Sequence, residues 1–146
     1  MQIEHCINFL LTKAQQNVFQ YFKGKLAAYD VTPVQYAILA CLWQQDGQTP
    51  SQIGLSLNID NSTITGVLDR IEQKGLLKRT PAPCDRRALN VVLTAEGAAL
   101  QKPLERIIEE ANAEILKDFT PEEQKTLKKM LAQLGKCDHN NKKKTS

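Results

Sequence analysis

Residues 49–75 read TPSQIGLSLNIDNSTITGVLDRIEQKG, and the fold of this stretch decides how the rest of the chain is read. Thr49 suits a helix N-cap, and Pro50 suits the first helical position, where its missing N–H is no loss. Gln52 completes a capping box. A short helix, Pro50 to Leu57, follows with Ile53 and Leu57 inward. Asn58 falls where the chain must turn, and asparagine tolerates the left-handed conformation a tight turn needs. Asp60 then caps a second helix in which Ile64, Val67, Leu68 and Ile71 form an i, i+3, i+4, i+7 stripe, ended by Gly75. Its opening run, NSTIT (61–65), holds more short polar side chains than one cap requires. The flanks explain the surplus.

Working outward, the Thr-Pro pattern recurs as TPVQ at 32 and TPEE at 120, marking two more helix starts. Upstream, Ile3 to about Ala28 carries Ile3, Ile7, Leu10, Leu11, Ala14, Val18, Phe22 and Leu26 at helical spacing. A helix from Pro33 passes Tyr36, Leu39, Ala40 and Trp43 and stops near Gly47. Downstream of Thr94, one long helix is expected to about Asp118, with Leu100, Leu104, Ile107, Ile108, Ala111 and Ile115 along it and a bend at Pro103. A last helix from Pro121 is expected to bury Leu127, Met130, Leu131 and Leu134. The tail, KCDHNNKKKTS, is polar.

Between these helices the period changes. In LLKRTPAPCDRRALNVVL (76–93), Leu89, Val91 and Leu93 alternate with Asn90 and Val92 as in a half-exposed strand. LLKRT can pair with it across a turn holding two prolines and Cys84, Asp85, Arg86 and Arg87. The fold class is mainly α with a small β-hairpin. Two helices, a tight turn and a hairpin make a winged helix-turn-helix, whose second helix enters the DNA major groove by its N-terminal residues. Asn61, Ser62, Thr63 and Thr65 then become donors and acceptors for base edges, and Gly66 permits close approach. The helix N-terminus also points N–H groups and positive dipole at a phosphate. Ser51, on the preceding helix, is a further candidate contact. Arg70 and Lys74 lie further along the exposed face, and one of Arg86 and Arg87 suits the adjacent minor groove. From 70 to 87, Arg70, Lys74, Lys78, Arg79, Arg86 and Arg87 oppose Glu72 and Asp85. Taken singly these features are ordinary caps and solvated charges; their conjunction points to DNA.

Composition alone does not. A chain of 146 residues is one ordinary domain, and its net charge of +3 equals the run Lys142–Lys144. Four cysteines, at 6, 41, 84 and 137, include no CxxC pair and suggest a reducing compartment. Cys41 reads as a buried small hydrophobe. The N-terminus has no basic segment before its apolar run, and no stretch approaches ~18 consecutive apolar residues. A cytoplasmic protein without a membrane span, metal or cofactor is expected. Two histidines near opposite ends, no glycine-rich phosphate loop and no nucleophile beside a base argue against an enzyme.

The stretches DRRALNVVLTAEG (85–97) and STITGVLDRIEQKGLLKR (62–79) resemble the wing and recognition helix of the MarR family of bacterial transcriptional regulators. The likeness extends over nearly the whole chain. It implies a homodimer, with dimerisation helices at about 1–30 and 95–135, a winged DNA-binding lobe at about 32–94 and a polar tail at 136–146. Broad apolar faces on the terminal helices agree with a partner copy. It further implies repression at a pseudo-palindromic double-stranded operator, relieved by a small ligand or an oxidant. Arg87 matches the family's minor-groove arginine, and Asp85 the acidic residue that orients its neighbours. Ser62, Thr63, Thr65 and Arg70 match recognition-helix positions, whereas Arg86 falls at a position whose role varies.

The resemblance also implies an effector cleft for phenolic or other aromatic carboxylates. Lys13 and Tyr36 are the candidates, against the plainer reading of a solvated lysine and a core-edge tyrosine. Cys84 lies beside two arginines that favour a thiolate. His5–Cys6 and Cys137–Asp138–His139 lie at chain ends that the family's dimer brings together, which opens a disulfide or a metal site against the alternative of unreactive thiols. A helical protein-interaction module would explain the helices but not the basic wing.

Overall fold

The capping residues set the architecture. The computed structural model describes residues 1–82 and 85–136, with the backbone alone at 85–88. In chain order the elements are α1 (Ile7–Leu26), α2 (Pro33–Gln44), α3 (Pro50–Leu57), α4 (Asn61–Gln73), β1 (Leu77–Ala82), β2 (Asp85–Leu93), α5 (Ala95–Ala99), α6 (Gln101–Ile115) and α7 (Pro121–Gly135). Thr32, Thr49 and Thr120 each accept an N–H from three residues on, while Gln35, Gln52 and Glu123 reach back to the cap's own N–H. The three boxes expected from the Thr-Pro pattern are all formed. Asn58 takes φ 56°, the left-handed turn that joins α3 to α4. A 3-10 turn, Ile3–His5, precedes α1, so the first helix starts later than its apolar spacing suggested.

The chain divides into two compact units, residues 1–111 and 112–146. In the first, Ile38, Leu39 and Leu42 of α2, Ile53 of α3, and Ile64, Leu68 and Ile71 of α4 close a core with Leu77, Val91, Leu26, Val31 and Leu104. Each such side chain contributes about 1.5–3 kcal/mol through burial. Tyr36 and Trp43, expected along the inward face of α2, are half-buried at the margin of this core, and Cys41 is half-buried too. Gly54 is what lets α3 approach the following turn, since a Cβ there would stand 2.8 Å from the Ile59 carbonyl oxygen.

Three differences from the sequence reading have physical causes. The long helix after Thr94 is two helices, interrupted at Leu100. The ring of Pro103 clashes with the carbonyl four residues earlier, at Ala99, so the break falls ahead of the proline rather than at it. The hairpin is longer than expected: β1 runs through Pro81, and Asp85, Arg86 and Arg87 lie on β2 instead of in the turn. In a two-stranded sheet each strand has a free edge, where a proline's missing N–H leaves no gap in the ladder. Leu77 pairs with Leu93 and Arg79 with Val91, and the register shifts between Pro81 and Ala82. Val91 is buried, whereas Leu89 is exposed beyond the reach of the core.

The third is a contact with no sequence signal. Val91 exchanges backbone hydrogen bonds with Gly47 and Gln48 (3.1 and 2.7 Å). Asp46 accepts the Leu93 N–H at 3.0 Å, which ties the hairpin to the turn after α2. A second tie is the Trp43 indole, which donates to the Gly97 carbonyl at 3.0 Å. Gly97 itself has no room for a side chain: a Cβ would sit 1.9 Å from the Leu76 carbonyl oxygen.

In the second unit, Gln124 donates to the carbonyls of Leu116 and Phe119 at 2.9 and 3.0 Å and so fixes the turn into α7. The expected burial along α7 does not occur. Met130, Leu131 and Leu134 are 56%, 45% and 49% exposed and Leu127 is half-buried. Ile3, just before α1, and Ile7, Leu10 and Leu11 at its start are likewise exposed, and on α1 Leu26 alone is fully buried.

Candidate nucleic-acid interface

Helix α4 has two unlike faces. Ile64, Leu68 and Ile71 are fully buried, while Asn61, Ser62, Thr63, Thr65, Gly66, Asp69, Arg70 and Gln73 are exposed. Asp60 caps the helix, its Oδ1 accepting from the Thr63 N–H and the Ser62 hydroxyl, both at 2.8 Å. The Thr63 N–H bond, then those from the Ser62 and Thr63 side chains, hold the Asp60 carboxyl below its ordinary range. Asp60 thus serves the Thr63 N–H at the helix end, as expected of an N-cap. Thr65 donates to the Asn61 carbonyl at 2.9 Å, which leaves its oxygen lone pairs outward. At Gly66 an added Cβ would meet nothing within 4 Å, so this part of the face is open.

Ser51 and Asn61 line one open groove with Asn58 and Asp60 between α3 and α4. Leu55, which the sequence reading passed over, lines it too and is 87% exposed. Its helical position lies off the Ile53–Leu57 stripe, and that spacing was the available signal.

The cations divide into two sets. Arg79 donates from Nε (3.1 Å), Nη2 (2.8 Å) and its backbone N–H (3.2 Å) to Glu72, and Nη2 also meets Asp69. Arg79 thereby fastens β1 to α4 rather than adding positive charge, and its hydrogen bonds hold the Glu72 carboxyl below its usual range. Asp69, which the charge tally left out, belongs to this cluster. Lys74 is also engaged within the molecule, with Gln35 and Asp30. Arg70 and Lys78 are exposed and make no ion pair among the described residues. The side chains of Asp85, Arg86 and Arg87 lie outside the described part of the structure.

Against this geometry, the family model described as "MarR family" matches residues 31–89, from the start of α2 into β2. The HTH-type transcriptional regulator PecS of Dickeya dadantii is 37% identical over 141 residues, covering 92% of this chain and 79% of that protein. The chain belongs to the MarR family. Among solved structures, a probable transcriptional regulator from Pseudomonas aeruginosa matches with TM-score 0.87 and 31% identity over 91% of this chain and 99% of that one. A cysteine-to-serine variant of MarR from Escherichia coli, complexed with operator DNA, matches with TM-score 0.83 and 27% identity over 88% and 92%.

This MarR-family chain is a transcriptional regulator, and its fold is that of the family's winged-helix members. Lys13 stands on α1 and Tyr36 on α2. Lys13 lines a shallow groove on α1 with Leu10, Ala14 and Asn17. Tyr36 packs edge-on against Trp43 with ring centroids 6.0 Å apart. Burial, then Glu105 and Glu109 nearby, raises the Tyr36 hydroxyl pKa. Cys6 is half-buried at the start of α1. Cys84 and Cys137 lie outside the described residues, as does the Cys137–Asp138–His139 run. Among the described residues no side-chain group could hold a metal ion, and no helix is long and apolar enough to cross a membrane.

Proposed function

We propose that this regulator works as a homodimeric repressor that reads a pseudo-palindromic operator with the exposed face of α4. The observation that carries the reading is the division of α4 itself. Three fully buried aliphatic residues fix the helix, so its opposite face presents small polar groups at its start, then Asp69, Arg70 and Gln73, with Asp69 tied to Arg79. Asn61, Ser62, Thr63 and Thr65 are the base-reading candidates, Ser51 and Arg70 serve phosphate or guanine, and one of Arg86 and Arg87, with Arg87 the family match, enters the neighbouring minor groove. Lys74 leaves the contact set because its ammonium is already engaged. Leu55, exposed beside Asn61, suits a thymine methyl.

Dimerisation uses the uncovered apolar faces of α1 and α7, in line with terminal segments 1–30 and 95–135 serving assembly and 32–94 serving DNA. A small-molecule effector acts on this assembly. Lys13 and Tyr36 are the candidate residues for its site. The test is selection of duplexes from a random-sequence pool, followed by gel shift across a salt series. Retention of a two-fold-symmetric site, weakening steeply with salt, is expected. Retention of no duplex at low salt overturns the proposal.

A further inference from the structure

Lys74 is the C-cap of α4, at the end of the recognition helix far from its base-reading start. Its Nζ donates to Gln35 Oε1 at 2.9 Å and to the Asp30 backbone carbonyl, with the Asp30 carboxylate 3.7 Å away. Two hydrogen-bond acceptors and one carboxylate thus face the ammonium, and the side chain is only 27% exposed. Neither main partner is incidental. Gln35 is the sole buried polar side chain among the described residues, 5% exposed, and the same Oε1 accepts the Thr32 N–H of the α2 capping box at 3.2 Å. Asp30 holds φ 54°, a left-handed conformation uncommon outside glycine, at the elbow between α1 and α2.

We propose that Lys74 is a positioning residue for DNA binding, a clamp joining the trailing end of α4 to the α1–α2 elbow and so setting the pitch at which the leading end meets the groove. This rests on the DNA-binding reading above. A helix held by core packing alone can rock about its buried stripe. A charged hydrogen bond at one end removes that freedom, and a displacement of about 1 Å at a contact surface is enough to lose well-aligned hydrogen bonds.

The experiment measures binding of a duplex, selected from a random pool by the native protein, to native protein and to Lys74→Met across a salt series. The clamp predicts about a tenfold loss of affinity at every salt concentration, the size of one lost charged hydrogen bond, with the slope of log K against log salt unchanged. A slope shallower by about 0.9 per lost contact would show Lys74 on a phosphate and overturn the proposal. Unchanged affinity would overturn it as well.

Asp30→Asn, on an exposed side chain at a position asparagine tolerates, guards against misfolding of the first variant. Removing a negative charge alone strengthens DNA binding, whereas loosening the clamp weakens it by about twofold. Tighter binding by this variant therefore counts against the clamp. A native protein that retains no duplex overturns the DNA reading itself, an outcome distinct from the others.

Discussion

Helices α4 and α7 carry the same kind of pattern, apolar residues at helical spacing with polar residues between, yet they end in opposite states. The apolar stripe of α4 is wholly inside, and what remains for other molecules is a polar face. The apolar stripe of α7 has no fully buried residue, and what remains is a greasy one. Amphipathic sequence thus states that a face needs cover; it does not state whether the same chain supplies it. On α4 the cover comes from α2, α3 and the hairpin, all close in sequence. On α7 a second copy is the proposed source.

The comparison can be broken most sharply at Leu68. Leu68→Ala removes a fully buried side chain and should destabilise the fold by about 2–5 kcal/mol in chemical denaturation. A loss below about 0.5 kcal/mol would mean the α4 stripe is not the anchor claimed here. Arg87→Ala leaves the core alone and should weaken operator binding by about 1–3 kcal/mol in titrations, the worth of one good groove contact. Unaltered affinity would take β2 out of the groove.

Leu131→Ala tests the other side of the contrast. On an exposed face it should leave monomer stability within about 0.5 kcal/mol, but it should shift dimer dissociation by about 1 kcal/mol in sedimentation. An unshifted equilibrium would leave α7 without its assigned partner. The smallest effect concerns the α4 cap. Asp60 titrates below its ordinary value when folded, so its contribution is present above the unfolded carboxyl pKa and is lost as pH falls through the lower folded value. The gap in thermal midpoint between native protein and Asp60→Ala should stand at neutral pH, begin to narrow below about pH 3.9 and close in acid below the folded value. A gap that persists there would assign the cap to something other than the carboxylate.

Much of this was legible because it is local. Thr-Pro-x-Gln needs only its own four residues to form a capping box, so α2, α3 and α7 begin where the sequence places them. Asn58 and Gly75 likewise mark turns through their own backbone preferences. The polar run at 61–65 was legible as a surface for the same reason. The bridge from Gly47 and Gln48 to Val91 was not, since a single pair of hydrogen bonds leaves no periodicity. The charge pattern misled through distance as well: Arg79 and Lys74 count as free cations in a tally but lie against Asp69, Glu72, Asp30 and Gln35 in space.

The sequence by itself determined which segments are helical, where the Thr-Pro-capped ones start, which side of each is apolar and that a hydroxyl-rich helix end precedes a basic hairpin. These follow from backbone preferences and spacing within a few residues. Only the tertiary structure decided which charges remain available and which apolar faces remain uncovered, because both depend on residues tens of positions apart meeting, or failing to meet, across the folded chain.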